Sequence, residues 1–562
     1  MWIGPKGAEH ARRGTRQDTN MLQALRTKTF SSVALIVAVA VFAALATNGG
    51  FYSAAISMYG GALGRLPLLA SLPLVLSCIF VLLLSALCHR WLVKPVLIVF
   101  LLLSAVFGYF AFAYGTIFDP QMIANALQTD SAEAGDLINL KLVLYIGLLG
   151  VLPSIMVAFA NLAYPGWKSE TIARLRLVGA AGATLAVLFL LFGAHYVSLV
   201  REHRELTGKI APLAGVVSAI KLVSKGIAPA PDEHTIVGAD ARISPEDTHR
   251  ELIIMVVGET ARADHWGLNG YSRQTTPLLK GENVINYPDF WSCDTSTARS
   301  VPCMFSNLGR AKFDVRDAQT TDNALDILKR AGVSVLWRDN NSSSKGVADR
   351  VLYQDFKSPA LNPMCEDGEC RDEGMLSGLQ EHINAQSGDV LIVLHQMGNH
   401  GPAYYKRYPK SFERFTPVCK TNDLGSCTAE EITNAYDNAI LYTDHFLGRV
   451  IALLKANTEH FETAMLYVSD HGESLGEYGM YLHGTPYMLA PDTQKHVPAV
   501  VWYSNALAHD LRVDDLAARS KRRWTHDSVF HTLLGLFEIR SNAYDPTKDL
   551  LVHNDDEAAS VK

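Results

Sequence analysis

The sequence predicts two domains of different class: an α-helical membrane domain of five spanning helices, then an exported α/β domain with a largely parallel sheet and crossover helices. Three observations carry this prediction. Before about residue 200 the chain is a series of apolar runs, each near the ~20 residues that a bilayer-crossing helix needs. From Leu252 onward, short apolar runs alternate with helical patterns. Six cysteines lie in that second part in three close pairs, as in chains that fold in an oxidising compartment. The formal net charge of -6, with basic residues scattered, leaves no nucleic-acid footprint.

Residues 1–28 are polar and basic and read as a cytoplasmic tail. Residues 29–200 form the membrane domain, with spans expected at Phe30–Asn48, Leu66–Cys88, Pro95–Tyr114, Leu142–Leu162 and Leu177–Ser198. Arg12, Arg13, Arg16, Arg26 and Lys28 precede the first span. His89, Arg90 and Lys94 follow the second, and Lys168, Arg174 and Arg176 follow the fourth. The remaining loops carry Arg65 on one side and Asp119, Asp130, Glu133 and Asp136 around the other. Basic loops stay in the cytoplasm, so the N-terminus is expected there, and five crossings put everything after residue 200 outside. The first span lacks a small-residue cleavage site and reads as an anchor.

Residues 201–250 form a connector. Ile210, Leu213, Val216, Val217, Ile220 and Val223 recur at helical spacing with Lys209, Lys221 and Lys225 between them. Such a helix suits a membrane surface, and it equally suits packing on the following domain. Ala228-Pro-Ala-Pro-Asp-Glu then reads as a linker. Residues 251–562 form the α/β domain. Strands are expected at Leu252–Val257, Val333–Trp337, Val390–Leu394, Ala464–Val468 and Ala499–Tyr503, and helices at Asp322–Ala331, Gly374–Asn384 and Glu430–Ala456.

Cys78 and Cys88 fall in the second span. The other six cysteines allow fifteen pairings; closing each short loop is simplest, giving Cys293–Cys303, Cys365–Cys370 and Cys419–Cys427. No CxxC occurs, which counts against a zinc–thiolate site.

The residues after each strand point to chemistry. Glu259 follows the first strand, Arg338-Asp-Asn-Asn341 the second, His395 to His400 the third, and Asp470-His471 the fourth. In open α/β sheets, sites form beyond the carboxyl ends of the strands. Glu259, His400, Asp470 and His471 are therefore expected to converge as a metal site. Carboxylate plus imidazole suits Zn²⁺ better than Mn²⁺ or Mg²⁺. The loop W-S-C-D-T-S-T-A-R-S-V-P-C, Trp291 to Cys303, carries Thr295, Ser296, Thr297 and Ser300. A metal-bound hydroxyl from that loop would be an accessible nucleophile.

V-V-G-E-T-A-R (256–262), C-D-T-S-T-A-R-S-V-P-C-M-F (293–305), W-R-D-N-N-S-S-S-K-G (337–346), G-N-H-G-P (398–402) and S-D-H-G-E-S-L-G-E (469–477) resemble, in order, the phosphoethanolamine transferases. The likeness spans nearly the whole chain and is strongest to the lipid A enzymes that include the mobile colistin-resistance group. It implies an exported domain of the alkaline phosphatase/sulfatase type, periplasmic and anchored in a Gram-negative inner membrane. It also implies a zinc-bound threonine that takes phosphoethanolamine from phosphatidylethanolamine and passes it to lipid A, giving polymyxin and colistin resistance. Thr297 matches that threonine, and Glu259, Asp470 and His471 match the other ligands of one tightly bound zinc. His400 and His483 match histidines that contact substrate phosphate or a second zinc. Asn341, Ser342 and Lys345 match residues that position the donor head group, with Lys345 also stabilising phosphoryl charge. Asn125, Thr129 and Glu133, four apart and so one stripe on a helix, match contacts to the ethanolamine end. Thr295, Ser296 and Ser300 are left with turn and helix-start duties, such as accepting from free backbone N–H groups. The enzyme is expected to act as a monomer among membrane lipids.

Asp294 departs from the family pattern, which has glycine after the first cysteine of this loop. Transfer to a core sugar or a protein, a related metal-dependent phosphodiesterase, and a non-catalytic membrane sensor are the competing readings. The sulfatase motif C/S-x-P-x-R is absent, and the ligand and nucleophile positions are intact.

Overall fold

The computed structural model describes residues 29–59, 66–129, 131–163, 165–226, 234–244, 248–366 and 368–554. The basic tail, Arg65, Asp130 and the Ala228–Glu233 linker lie outside the described residues. The chain forms two compact units, one holding Ile138–Leu222 and the chain up to Ile123, the other holding Ala124–Leu137 and everything from Val223.

In the first unit, helix α1 (Ser32–Ala46) starts on Ser31, whose hydroxyl accepts from the Ala34 N–H. The expected first span is a bent pair: α2 (Gly49–Tyr59) continues at 50° to α1. The cause is local. Thr47 Oγ1 and Asn48 Nδ2 both turn back to the Ala43 carbonyl and end the helix. A side chain at Gly50 would stand 2.4 Å from the Ala111 carbonyl oxygen, so only glycine permits that close crossing. Helices α3 (Leu66–Leu87) and α4 (Val93–Ala113) follow. Two short helices come next in sequence, α5 (Pro120–Gln128), which straddles the division, and α6 (Ser131–Leu137), which belongs to the second unit; α7 (Leu140–Phe159) and α8 (Trp167–Glu202) are again of the first. Among the described residues α3, α4, α7 and the Trp167–Gly193 part of α8 are long and apolar enough to cross a membrane, and the α1–α2 pair makes five. Phe189, Leu190 and Leu191 are exposed on α8, apolar surface of the kind that lipid covers. Helix α9 (Leu213–Gly226) leaves Val217, Ile220 and Val223 exposed at i, i+3 and i+6 spacing, the stripe expected of the connector.

The second unit is built on an eight-stranded sheet of β1 (Glu251–Gly258), β2 (Ile285–Trp291), β3 (Ser334–Asp339), β4 (Leu352–Asp355), β5 (Val390–His395), β6 (Glu462–Ser469), β7 (His496–Tyr503) and β8 (Trp524–Thr525). The order is β8-β2-β7-β6-β1-β5-β3-β4. Only β7 runs against its neighbours; every other pairing is parallel. The central strands are continuous apolar runs because both faces are covered. Ile253, Met255 and Val257 of β1 pack into one layer with Trp337 and Phe530. Leu252, Ile254 and Val256 pack into the other, under the long helix that ends at Lys455.

Helix α10 (Thr297–Met304) carries the expected nucleophile at its first position. Helix α11 (Ala324–Ala331) is closed by an Asn323/Asp326 capping box at one end and a left-handed Gly332 at the other. The helix expected over Gly374–Asn384 is instead a 3₁₀ turn at Asp372–Leu376 followed by α12 (Leu379–Asn384), because Gly378 adopts φ +69° between them. Helix α13 (Ala429–Lys455) starts on Thr428 with a Glu431 capping box, and Ile440, Phe446, Leu447 and Ile451 meet the sheet. Disulfides join Cys293–Cys303, Cys365–Cys370 and Cys419–Cys427.

Candidate active site

The sheet register assembles the first two carboxylates. β1 and β6 lie side by side in parallel with Gly258 opposite Ser469, so the next residues, Glu259 and Asp470, leave the sheet together. Thr260 then takes φ +54°, unusual for a β-branched residue and costing on the order of 1–3 kcal/mol. It is held there from three sides. Its N–H donates to Asp470 Oδ1, its carbonyl accepts from the Tyr436 hydroxyl of α13, and the following Ala261 N–H donates to Ser469 Oγ. On the other flank β5 leads into the loop that carries His400. Gly398 of that loop lies so close that a side chain there would meet the Glu259 carbonyl at 2.8 Å.

Glu259, Asp470 and His471 are all buried, and one ligand atom from each lies within 4.8 Å of the others. His471 Nε2 is 3.3 Å from Asp470 Oδ2 and 3.5 Å from Glu259 Oε1. Its Nδ1 faces the Gly472 carbonyl at 2.9 Å, which fixes the ring with Nε2 as the lone-pair atom toward the cluster. Thr297 Oγ1 reaches both neighbours, at 3.1 Å from Glu259 Oε2 and 3.2 Å from His471 Nε2. Asn341 Nδ2 donates to Glu259 Oε2 at 2.8 Å.

Among the described residues, Glu259 Oε1 and Asp470 Oδ2 are buried without a hydrogen-bond partner. Burial first, and then the charge of Asp470, pushes the Glu259 carboxyl well above the usual range; burial likewise raises Asp470 and lowers His471. Two buried carboxylates with unpartnered oxygens beside an imidazole lone pair form a donor set that a divalent cation satisfies. A second group, Glu259, His400 and His483, shares one carboxylate with the first. The His483 ring sits 4.3 Å from that of His471 and 5.2 Å from that of His400. Burial opposes charge on His483, but buried Glu473, 3.3 Å from its Nδ1, outweighs it and holds the imidazole above its ordinary pKa.

The other expected residues divide. Glu133 arrives on α6, its Oε1 3.5 Å from His400 Nε2. Asn125 and Thr129 do not share a helical stripe with it. α5 ends at Gln128, Thr129 bonds back to the Asn125 carbonyl, and α6 starts afresh at Ser131. Ser342 Oγ donates to Asn341 Oδ1. Lys345, at φ +51° in the loop after β3, lines a small cavity with Pro302, Ser306 and Asn323, and no hydrogen bond or ion pair of its side chain to the cluster is found among the described residues.

The loop hydroxyls depart from the expected helix-start duties. Ser296 is the N-cap of α10, yet its Oγ makes no cap hydrogen bond and has no partner among the described residues, while Thr295 Oγ1 donates to Thr485 O and Ser300 Oγ to Asp470 O. Asp294 is paired with Arg299 at 3.2 Å and accepts from the Thr295 N–H. Glu473, Arg407 and His526 are not singled out from sequence, and Asp136 figures there only as a loop charge. Glu473 lies inside the S-D-H-G-E stretch; the others have partners too far along the chain for any local pattern to mark them.

Residues 251–539 match the sulfatase family, and residues 76–227 match the family described as phosphoethanolamine transferase EptA/EptB. Phosphatidylethanolamine transferase Mcr-2 from Escherichia coli is 44% identical over 513 residues, covering 89% of this chain and 94% of its own length. Phosphoethanolamine transferase EptA from Escherichia coli strain K12 is 39% identical over 495 residues, covering 86% and 89%. Among solved structures, the integral membrane protein lipooligosaccharide phosphoethanolamine transferase A (EptA) from Neisseria meningitidis matches with a TM-score of 0.89 at 36% identity, covering 93% of this chain and 99% of that one.

Proposed function

The chain belongs to the phosphoethanolamine transferases, and on that premise we propose that it carries phosphoethanolamine from phosphatidylethanolamine to lipid A through a covalent ester on Thr297. The observation that carries this reading is the contact of the Thr297 hydroxyl with both Glu259 and His471 in a buried carboxylate–imidazole cluster. Glu259, Asp470, His471 and Thr297 would hold zinc, with His400 and His483 bordering the substrate phosphate or a second ion. When bound, zinc lowers the pKa of a coordinated hydroxyl and offsets charge on phosphoryl oxygens.

In the first half-reaction a Thr297 Oγ–phosphorus bond forms as the bond from phosphorus to the diacylglycerol oxygen breaks, and diacylglycerol leaves with a proton. In the second, an oxygen of the acceptor phosphate attacks the same phosphorus and Thr297 is released. Asn341 orients Glu259, and the opening N–H groups of α10 favour an anion beside Thr297. Glu133 supplies a carboxylate for the donor's ammonium, with Asn125, Thr129, Ser342 and Lys345 as further donor contacts. The setting is a Gram-negative inner membrane, with residues 1–28 cytoplasmic, 29–200 spanning, 201–250 connecting and 251–562 periplasmic. The physiological outcome is polymyxin resistance.

Purified protein supplied with phosphatidylethanolamine alone should gain the mass of one phosphoethanolamine on the Thr297 peptide. An unmodified Thr297 in protein that still cleaves donor would instead identify a phosphodiesterase. Mass spectrometry of lipid A from cells with and without the protein tests the acceptor. A heptose- or protein-linked product would keep the transferase and replace lipid A.

A further inference from the structure

Helix α6 carries two carboxylates one turn apart, and only Glu133 has a role above. The second, Asp136, is buried in the same unit, where its oxygens meet two cations: Lys406 Nζ at 2.6 Å and Arg407 Nη2 at 2.6 Å. Its carbonyl accepts from Asn422 Nδ2 at 2.8 Å. The Arg407 side chain is only 3% exposed and uses its whole guanidinium. Nη1 holds Glu369 of the hairpin closed by Cys365–Cys370 at 2.7 Å, and Nε donates to the His400 carbonyl at 2.7 Å. Arg407 thus ties the main chain of His400 to Asp136, and Asp136 stands three residues from Glu133, whose carboxylate faces the His400 ring at 3.5 Å. On a helix, residues three apart share a face, so fixing one fixes the other.

We propose that the Asp136–Arg407 pair is a positioning device for the donor end of the reaction: it seats α6 so that Glu133 meets His400, and it acts on donor use without touching the reacting atoms. The functional half rests on the reading that Glu133 receives the donor's ammonium. A planar, always-charged guanidinium suits this task, since three acceptors in fixed directions determine its place where a lysine would swivel. Removing one partner of a buried pair leaves the other charge poorly matched and loosens what it held.

The test uses full-length protein in bilayers of phosphatidylethanolamine and phosphatidylglycerol, comparing Asp136→Asn with Asp136→Glu. Hydrogen exchange reads the seating. The peptides spanning 131–137 and 400–407 should lose protection at least about tenfold in Asp136→Asn and recover most of it in Asp136→Glu, while 256–262 and 469–473 stay as in wild type. Donor kinetics read the function: the phosphatidylethanolamine density giving half-maximal loading of Thr297 should rise about tenfold in Asp136→Asn, with the saturating rate within about threefold. Unchanged exchange at 131–137 overturns the device. Altered exchange with unchanged donor dependence overturns its functional half and leaves the donor reading standing. A wild-type protein that never loads Thr297 sinks the donor reading, while exchange still decides whether Asp136 seats α6.

Discussion

The two sides of the active site are built on opposite plans. Glu259, Asp470 and His471 leave the carboxyl ends of adjacent parallel strands, so the sheet register alone brings them together. Glu133 comes from a short helix between two long apolar ones in sequence, and that helix is held by the ion pairs of neighbouring Asp136 with Lys406 and Arg407 instead of a ladder. The strand-end side resists local change because main-chain hydrogen bonds and apolar layers fix it. The helix side depends on a few charged groups, each removable singly. The proposed function would place the chemistry on the rigid side and donor capture on the separable one.

The sharpest way to break this contrast is at Thr297. Thr297→Ala should lower transfer by roughly 10⁴-fold or more, as nucleophile removals do, while the thermal midpoint stays near wild type. A variant that still transfers would remove the nucleophile from the rigid side altogether. Asp470→Asn should come next, with activity down about 10²–10³-fold and zinc lost from protein analysed for metal. Stripping zinc from the wild type should also lower its thermal midpoint, because a bound cation stabilises only the folded cluster. No midpoint change on metal removal and return would contradict the donor set drawn above.

Glu133→Gln tests the other side and should cost about tenfold, mainly as a higher donor requirement. An equal loss in the saturating rate would place Glu133 with the chemistry and erase the contrast.

A fourth prediction concerns the support under the nucleophile loop. Burial pushes His526 down to about 4. Neutral, its Nδ1 accepts from the Cys293 N–H at 3.0 Å and its Nε2–H donates to the Ser469 carbonyl at 2.9 Å. An unfolded histidine takes its proton near ~6.5. Between those values the unfolded chain binds a proton that the native chain refuses, so this contribution is present above ~6.5 and lost as pH falls toward ~4, by on the order of 3 kcal/mol. His526→Asn keeps an acceptor near Nδ1 and should flatten that part of the thermal-midpoint profile. An identical acid slope in the variant would remove His526 from the account. The smallest effect is expected at Asp294. Paired with Arg299 and aimed at its own loop, it should change transfer by no more than about twofold when replaced by glycine.

Much of this was legible in the sequence because the informative elements are extreme. The central strands are unbroken apolar runs, and their following residues are polar groups at sheet ends. The first span bends where Thr47 and Asn48 meet two glycines, a punctuation that length and hydropathy do not register. β2 escaped notice because Tyr287-Pro288-Asp289 interrupts its pattern, and β4 because a four-residue edge strand buries too little to leave one. Glu133 was found through family likeness, but its supposed stripe with Asn125 was not real, since a helix break is set by local turns. In sequence Asp136 reads only as a loop charge and Arg407 carries no signal: their meaning lies in a contact spanning 271 positions.

The Cys293–Cys303 bridge closes the very loop that carries Thr297. Thiols inside a bacterial cytosol stay reduced, and the bridge forms only where oxidants are present. On the proposed reading, a chain that had not yet reached an oxidising compartment would hold Thr297 on a loop without this covalent brace. Export would then also be an arming step, with the compartment recorded in a covalent bond ten residues wide.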